Sequence, residues 1–140
     1  MAIKTYDHRD LQVIVGNIIV GGYAPGTVVK IDYNADLYNQ VIGADGEGAR
    51  AATNDDSAAI EITLLQTSET NDAFNALMLL DRDTNQGQVS LMVKDNGGRS
   101  LFATDCAYIA KRPSVEFGQD LTNRVWMIYT PKLDANFGGN

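Results

Sequence analysis

Ala59-Ile60-Glu61-Ile62-Thr63-Leu64-Leu65-Gln66 runs directly into Thr67-Ser68-Glu69-Thr70-Asn71-Asp72, and the joint between these two stretches decides how the chain is read. In the first, Ile60, Ile62 and Leu64 point one way and Glu61 and Thr63 the other, the period of a half-buried strand. The second supplies several candidate N-caps and first-turn carboxylates. Beyond it Ala73, Phe74, Leu77, Met78 and Leu80 recur at helical spacing, so a strand followed by a capped helix is expected.

Upstream, Leu11 to Val15 and Ile18 to Val20 are apolar, largely β-branched runs separated by Gly16-Asn17, which predicts a hairpin or bulged strand. Tyr23-Ala24-Pro25-Gly26 is a turn signal, and Thr27 to Tyr33 sets Val29, Ile31 and Tyr33 against Val28, Lys30 and Asp32. Asp36 to Ile42 fits a short strand and a helical turn equally. Gly43 to Ser57 is small, polar and charged, without apolar periodicity, and reads as a loop held by something outside the subunit.

Downstream, a polar stretch from Asp81 to Gly87 follows the helix, and Val89, Leu91 and Val93 alternate with Ser90, Met92 and Lys94. Asp95-Asn96-Gly97-Gly98 is a hairpin turn, Ser100 to Ala110 continues as a long strand, and Pro113 ends it. Arg124 to Tyr129 is apolar on both faces, which suits a strand covered on both sides. The tail 131–140 has no pattern of its own, and neighbouring subunits are expected to restrain it. The residues thus describe a mainly β chain with one helix, organised as a single domain over 1–140 with a leader at 1–10.

The 140 residues, 44% of them hydrophobic, suffice for one core. Eleven basic against eighteen acidic side chains give a net charge of −7, which disfavours static binding to DNA or to an anionic membrane. The lone Cys106 excludes an internal disulfide and is expected to be a small buried hydrophobe. The N-terminal stretch lacks the apolar core of a signal peptide, and no apolar run approaches the ~20 residues of a membrane span. Synthesis in the cytoplasm without a membrane anchor is expected.

Tests for chemistry fail one by one. Asp81 to Gly87 resembles the start of a calcium loop, but Gln86 and Met92 stand where that loop needs Gly and a bidentate Glu. The glycines from Gly16 to Gly22 have phosphate-loop spacing, yet Gly22 and Tyr23 occupy the Lys and Ser/Thr positions. His8, beside Asp7 and Asp10, reads as an exposed histidine rather than a base or a metal ligand. Asp45, Glu47, Asp55 and Asp56 crowd one segment and read as solubilising or inter-subunit charges, with Arg50 as an ion-pair partner. Lys111, Arg112 and Arg124 are too scattered for a nucleic-acid patch and read as structural. No catalytic, metal or cofactor site is expected, and the chain does not read as an enzyme.

The order of these pieces resembles the tail tube proteins of long-tailed phages, especially contractile ones, and more distantly the tube of type VI secretion. The resemblance rests on residues 19–26, Ile-Val-Gly-Gly-Tyr-Ala-Pro-Gly, on 41–47, Val-Ile-Gly-Ala-Asp-Gly-Glu, and on 54–57, Asn-Asp-Asp-Ser, leading into 60–68 and Asn71-Asp72. Val93-Lys94-Asp95 and Trp126 follow in the same order. It implies a small β-sandwich or barrel with one flanking helix, hexameric rings, and stacking of those rings into a virion tail tube through which DNA passes without specific binding. Tail sheath, baseplate or tail-terminator and tape-measure proteins are the partners it implies.

On that reading the sheet edges of each subunit invite another chain. The segment 43–57 reaches the next subunit or ring through Gly43, Asp45, Gly46, Glu47, Gly48, Arg50, Asp55 and Asp56, and Glu61, Thr63 and Ser90 face the lumen. An alternative is a monomeric cytosolic β-barrel that binds a small molecule in a central cavity.

Overall fold

In the computed structural model, which describes residues 2–139, a short 3-10 turn at His8–Asp10 opens a chain of ten strands and one helix. The strands are β1 (Leu11–Val15), β2 (Ile18–Ile19), β3 (Val29–Tyr33), β4 (Tyr38–Ile42), β5 (Gly48–Ala52) and β6 (Ala58–Leu65). Helix α1 (Thr70–Thr84) follows, then β7 (Val89–Asp95), β8 (Leu101–Lys111), β9 (Asn123–Thr130) and β10 (Asp134–Asn136). Every pairing is antiparallel, in the order β2-β1-β7-β8-β9-β6-β3, with β10 also on β8, while β4 and β5 pair only with each other.

The long strand β8 joins two halves. Its first part pairs with β7 and β10, its last part with β9, and the register shifts between Ile109 and Lys111. Between the halves lies one core, with Ile60, Ile62, Leu64, Leu91 and Ile128 essentially without exposure. Burying each such side chain contributes roughly 1.5–3 kcal/mol. The alternation along β6 is complete, since each inward residue is buried and each outward one half-buried. The space between the halves is filled by these buried side chains, packed with Val13, Phe74 and Trp126 into one cluster.

Helix α1 is locked to this core at its first turn. Asn71 donates from Nδ2 to the Leu65 carbonyl at 2.9 Å and accepts on Oδ1 from Trp126 Nε1 at 2.9 Å. Phe74 meets the Trp126 ring edge-on at 5.4 Å between centroids. Ser68 and Thr70 hydroxyls both donate to the Gly21 carbonyl. Gly22, at φ +70°, faces Ser68 so closely that a Cβ would collide with its side chain. The helix ends with Asn85 in the left-handed region, and the Asp81 carboxylate accepts from the Gly87 amide.

Several expectations are corrected. The polar stretch from Asp81 is helical as far as Thr84. Leu80, expected to face the core, is half exposed because the covered stripe of the helix runs through Phe74, Leu77, Met78 and Asp81 and passes it by. Cys106 is exposed: the β7–β8 pairing jumps from Leu91–Thr104 to Val89–Ala107, so Ala107 takes the inward place. The tail is held by its own chain, through β10, buried Leu133 and the Phe137 ring against Phe102 and Tyr33. The outer face of β9 is not covered from within: Val125 and Met127 are half-buried and Tyr129 is exposed.

Candidate assembly surface

The segment 43–57 is not a loop but half of a projecting hairpin. Its base is closed by Asn34, whose amide bonds the Ser57 carbonyl at 3.1 Å and whose Nδ2 donates to Ser57 Oγ at 2.9 Å. The ambiguous stretch 36–42 becomes β4, paired with β5 from Tyr38–Ala52 to Ile42–Gly48. The absence of periodicity has a plain cause, since every residue of both strands is exposed and neither face has an inside to record. Sequence reading missed the feature that matters most here. Leu37, Tyr38, Val41 and Ile42 are large apolar side chains standing in solvent on one arm.

At the tip, Gly43 and Glu47 close the turn through a 2.7 Å amide–carbonyl bond, and Asp45 Oδ1 accepts from the Glu47 amide at 3.1 Å. Gly46 sits at φ +87°, a conformation open to glycine. At the base, Asp55 Oδ1 accepts from both the amide and the hydroxyl of Ser57, which holds its carboxyl below the usual range. The crowd of four carboxylates therefore splits into a tip pair, Asp45 and Glu47, and a base pair, Asp55 and Asp56. The five residues of β5, about 17 Å of strand, keep them apart. No cluster able to hold a metal occurs among the described residues. Arg50 makes no ion pair with these acids; its guanidinium lies 3.9 Å over the Tyr38 ring.

Glu61 and Thr63 point away from the core on one face of β6. Pairing places Glu61 in a row across four strands, Lys30 on β3, Glu61, Met127 on β9 and Lys111 on β8. With Asp32 3.6 Å from Lys30, and Arg112 lining one cleft with Glu61 and Lys111, this face interleaves both signs with cations in slight excess. Ser90 is exposed on β7, three strands away in the sheet order. His8 is exposed beside Asp7, as expected, and the Arg9 guanidinium bonded to Asp7 pulls that carboxyl down to about 2.

Where β1 and β3 approach without pairing, a cleft of about 920 Å³ lies between Tyr6, Leu11, Tyr23 and Val29. The Tyr23 hydroxyl is buried there with no hydrogen-bond partner, and burial pushes its pKa up to about 12. Tyr23→Phe is expected to raise neutral-pH stability by about 1 kcal/mol, since it removes a desolvated donor. In the parent, a phenol held neutral by the fold ionises first in the unfolded chain. The parent therefore keeps its neutral-pH stability below pH 10 and loses more as pH climbs through about 12, a further loss that the phenylalanine variant escapes. Urea melts of the two proteins at pH 7 and pH 11 check both signs; a destabilised phenylalanine variant would refute the account.

A profile of the Bacteriophage PhiTE tail tube protein family matches residues 16–138. The chain belongs to this tail tube family. The tail tube chain is also 29% identical, over 98% of its length and 84% of the relative's, to Structural protein ORF10 of Pseudomonas phage KPP10. Its fold is shared with the tube-terminating cap of the anti-feeding prophage, at a TM-score of 0.64 and 10% identity over 97% of this chain and 94% of that one. The sheath/tube terminator of the extracellular contractile injection system PVC gives a TM-score of 0.62 at 11% identity, covering 97% and 99%. The PVC sheath-tube complex gives 0.54 at 14%, covering 90% and 87%. Family membership makes the tail tube chain a structural protein of the virion tail, and its mainly β fold with one helix agrees with these neighbours. No helix among the described residues is long and apolar enough to cross a membrane.

Proposed function

We propose that the tail tube chain forms hexameric rings that stack into the inner tube of a contractile tail, the conduit for DNA ejection. The observation that carries this reading is the β4–β5 arm, a hairpin with exposed apolar side chains whose strands, among the described residues, pair only with each other. An isolated two-stranded hairpin is marginal in water, so such an arm needs a surface to lie on. The assemblies whose chains share this fold join tube to sheath and terminator, which supports sheath and terminator proteins as partners; baseplate and tape-measure proteins complete the proposed set.

Contacts between subunits and rings are assigned to Gly43, Asp45, Gly46, Glu47, Gly48, Arg50, Asp55 and Asp56, joined by Tyr38, Val41 and Ile42. The lumen wall is assigned to Glu61 and Thr63, with Ser90 at the far side of the sheet. Carboxylates set among the cations, Asp32 beside Lys30 and Glu61 beside Lys111 and Arg112, suit a wall that DNA slides past, because an unrelieved basic wall would hold the phosphates by counterion release. Head-to-tail contacts close into rings where the rotation closes and stay open along an axis.

A single terminating ring is the second reading, favoured by the higher TM-scores of the two terminators. Negative-stain microscopy of the purified chain separates them: long stacks of rings are expected, isolated rings would select the terminator, and a stable monomer at high concentration would defeat both.

A further inference from the structure

The hairpin and the gathered arginines sit at opposite poles of the same strands. The arm leaves the fold between Tyr33 and Ala58, where Ala58 pairs with Thr130. At the other end of β6 and β9, Leu64 pairs with Arg124. There Arg112 and Arg124 line one cleft of about 310 Å³, walled by Met78, Val115 and Trp126, with Asp72 and Asn75 of α1 on its rim. Sequence alone scatters these two arginines; the return of the chain through 112–122 brings them together.

Arg124 is the unusual member. Its Nε is buried with no acceptor, and its guanidinium stands 5.9 Å from the Phe117 ring. Neither arginine forms an ion pair among the described residues, although Asp72 lies in the same cleft. A buried guanidinium nitrogen without an acceptor is costly, and a carboxylate is the acceptor its fork geometry fits. Around the cleft Val115, Phe117 and Leu121 are exposed, Phe117 by 76%.

We propose that this cleft receives the hairpin tip of a second copy, Asp45 and Glu47 meeting Arg112 and Arg124 while Val41 and Ile42 cover Val115 and Phe117. The inference rests on the tube reading and names its stacking contact. Three observations converge on a second copy as occupant. The tip carries two carboxylates and the cleft two guanidinium groups, and both flanks are apolar. The nine residues from Leu37 to Asp45 span at most about 27 Å as extended chain, enough to cross into a neighbour. Donor and acceptor lie at opposite ends of β6, so copies aligned along the strand direction present one to the other, the arrangement an open head-to-tail stack requires.

The test uses the full chain. Arg112→Glu with Arg124→Glu is expected to cut the fraction of protein in tubes, by sedimentation and negative stain, at least about tenfold. Adding Asp45→Lys and Glu47→Lys to the same chain is expected to restore it to within about threefold, because the charges are exchanged, not removed. Arg124→Gln, which keeps size and polarity, guards against misfolding and is expected to weaken stacking in a protein whose melting curve matches the parent. Tubes at parental yield from the double glutamate variant would overturn the assignment. So would folded, non-stacking protein that the exchanged tip fails to rescue, or intact tubes that lose only another tail protein. A parent chain that never associates would sink the tube reading itself, a distinct result.

Discussion

Phe74→Ala will cost the fold about 3–5 kcal/mol, the largest loss expected from any single truncation in α1. Phe74 is fully buried and is the helix's main apolar anchor in the core. Its ring lies edge-on to Trp126, and Trp126 in turn donates its indole N–H to Asn71 one turn earlier in the same helix. Deleting the ring leaves a cavity bordered by a hydrogen-bonded pair that cannot collapse into it, which places the loss toward the upper end. With a total stability of about 5–15 kcal/mol for a domain of ordinary size, the variant would melt roughly 15 °C lower or fail to fold at room temperature. Denaturant melts decide the point; a loss under about 1 kcal/mol would mean that the helix contributes little to the core.

Val41→Thr with Ile42→Thr should do the reverse, abolishing association while sparing the fold. Both side chains are exposed, Val41 by 66%, so the monomer spends little on them. Threonine keeps the β-branched shape that β4 favours, and the hairpin register should survive. What disappears is the apolar surface that the arm would bury on a neighbour, worth about 0.8 kcal/mol for each methyl-sized group removed. Repeated at every contact around and along a stack, that loss is expected to raise the concentration needed for tube formation by well over about tenfold, with a melting temperature within about 2 °C of the parent. Analytical ultracentrifugation over a concentration series reads both halves. Unchanged tube formation would remove the arm from the interface.

Much of the fold was legible along the chain because one face of most strands is buried by the chain itself. β6 shows this best: Ile60, Ile62 and Leu64 go in, Glu61 and Thr63 go out, and the pattern in the residues is the pattern in space. The Asp95–Gly98 turn and the polar run before α1 were legible for a similar reason, since their chemistry is local. The arm was not legible. Its strands bury nothing internally, so no period marks them, and Gly48-Ala49-Arg50-Ala51-Ala52 looks like a loop until β4 is placed beside it.

Cys106 and Leu80 misled for a related cause. Each lies off the covered pattern of its own element, Cys106 at a register shift and Leu80 beside the stripe of α1 that meets the core. The tail 131–140 offered no pattern because its anchors, Leu133 and Phe137, are single contacts to distant residues.

The sequence by itself determined a mainly β chain, one helix, an acidic balance and the order of pieces shared with tail tube proteins, because periodicity, turn chemistry and charge are carried by neighbouring residues; the side-chain N-cap it led one to expect is absent, since Glu69 at that position is already helical and makes no capping bond. Only the tertiary structure decided that segment 43–57 is an arm, that its four carboxylates divide between tip and base, and that Arg112 and Arg124 share a cleft at the far pole. These last are products of strand pairing between residues far apart along the chain, and no local pattern records which distant segments a fold will bring together.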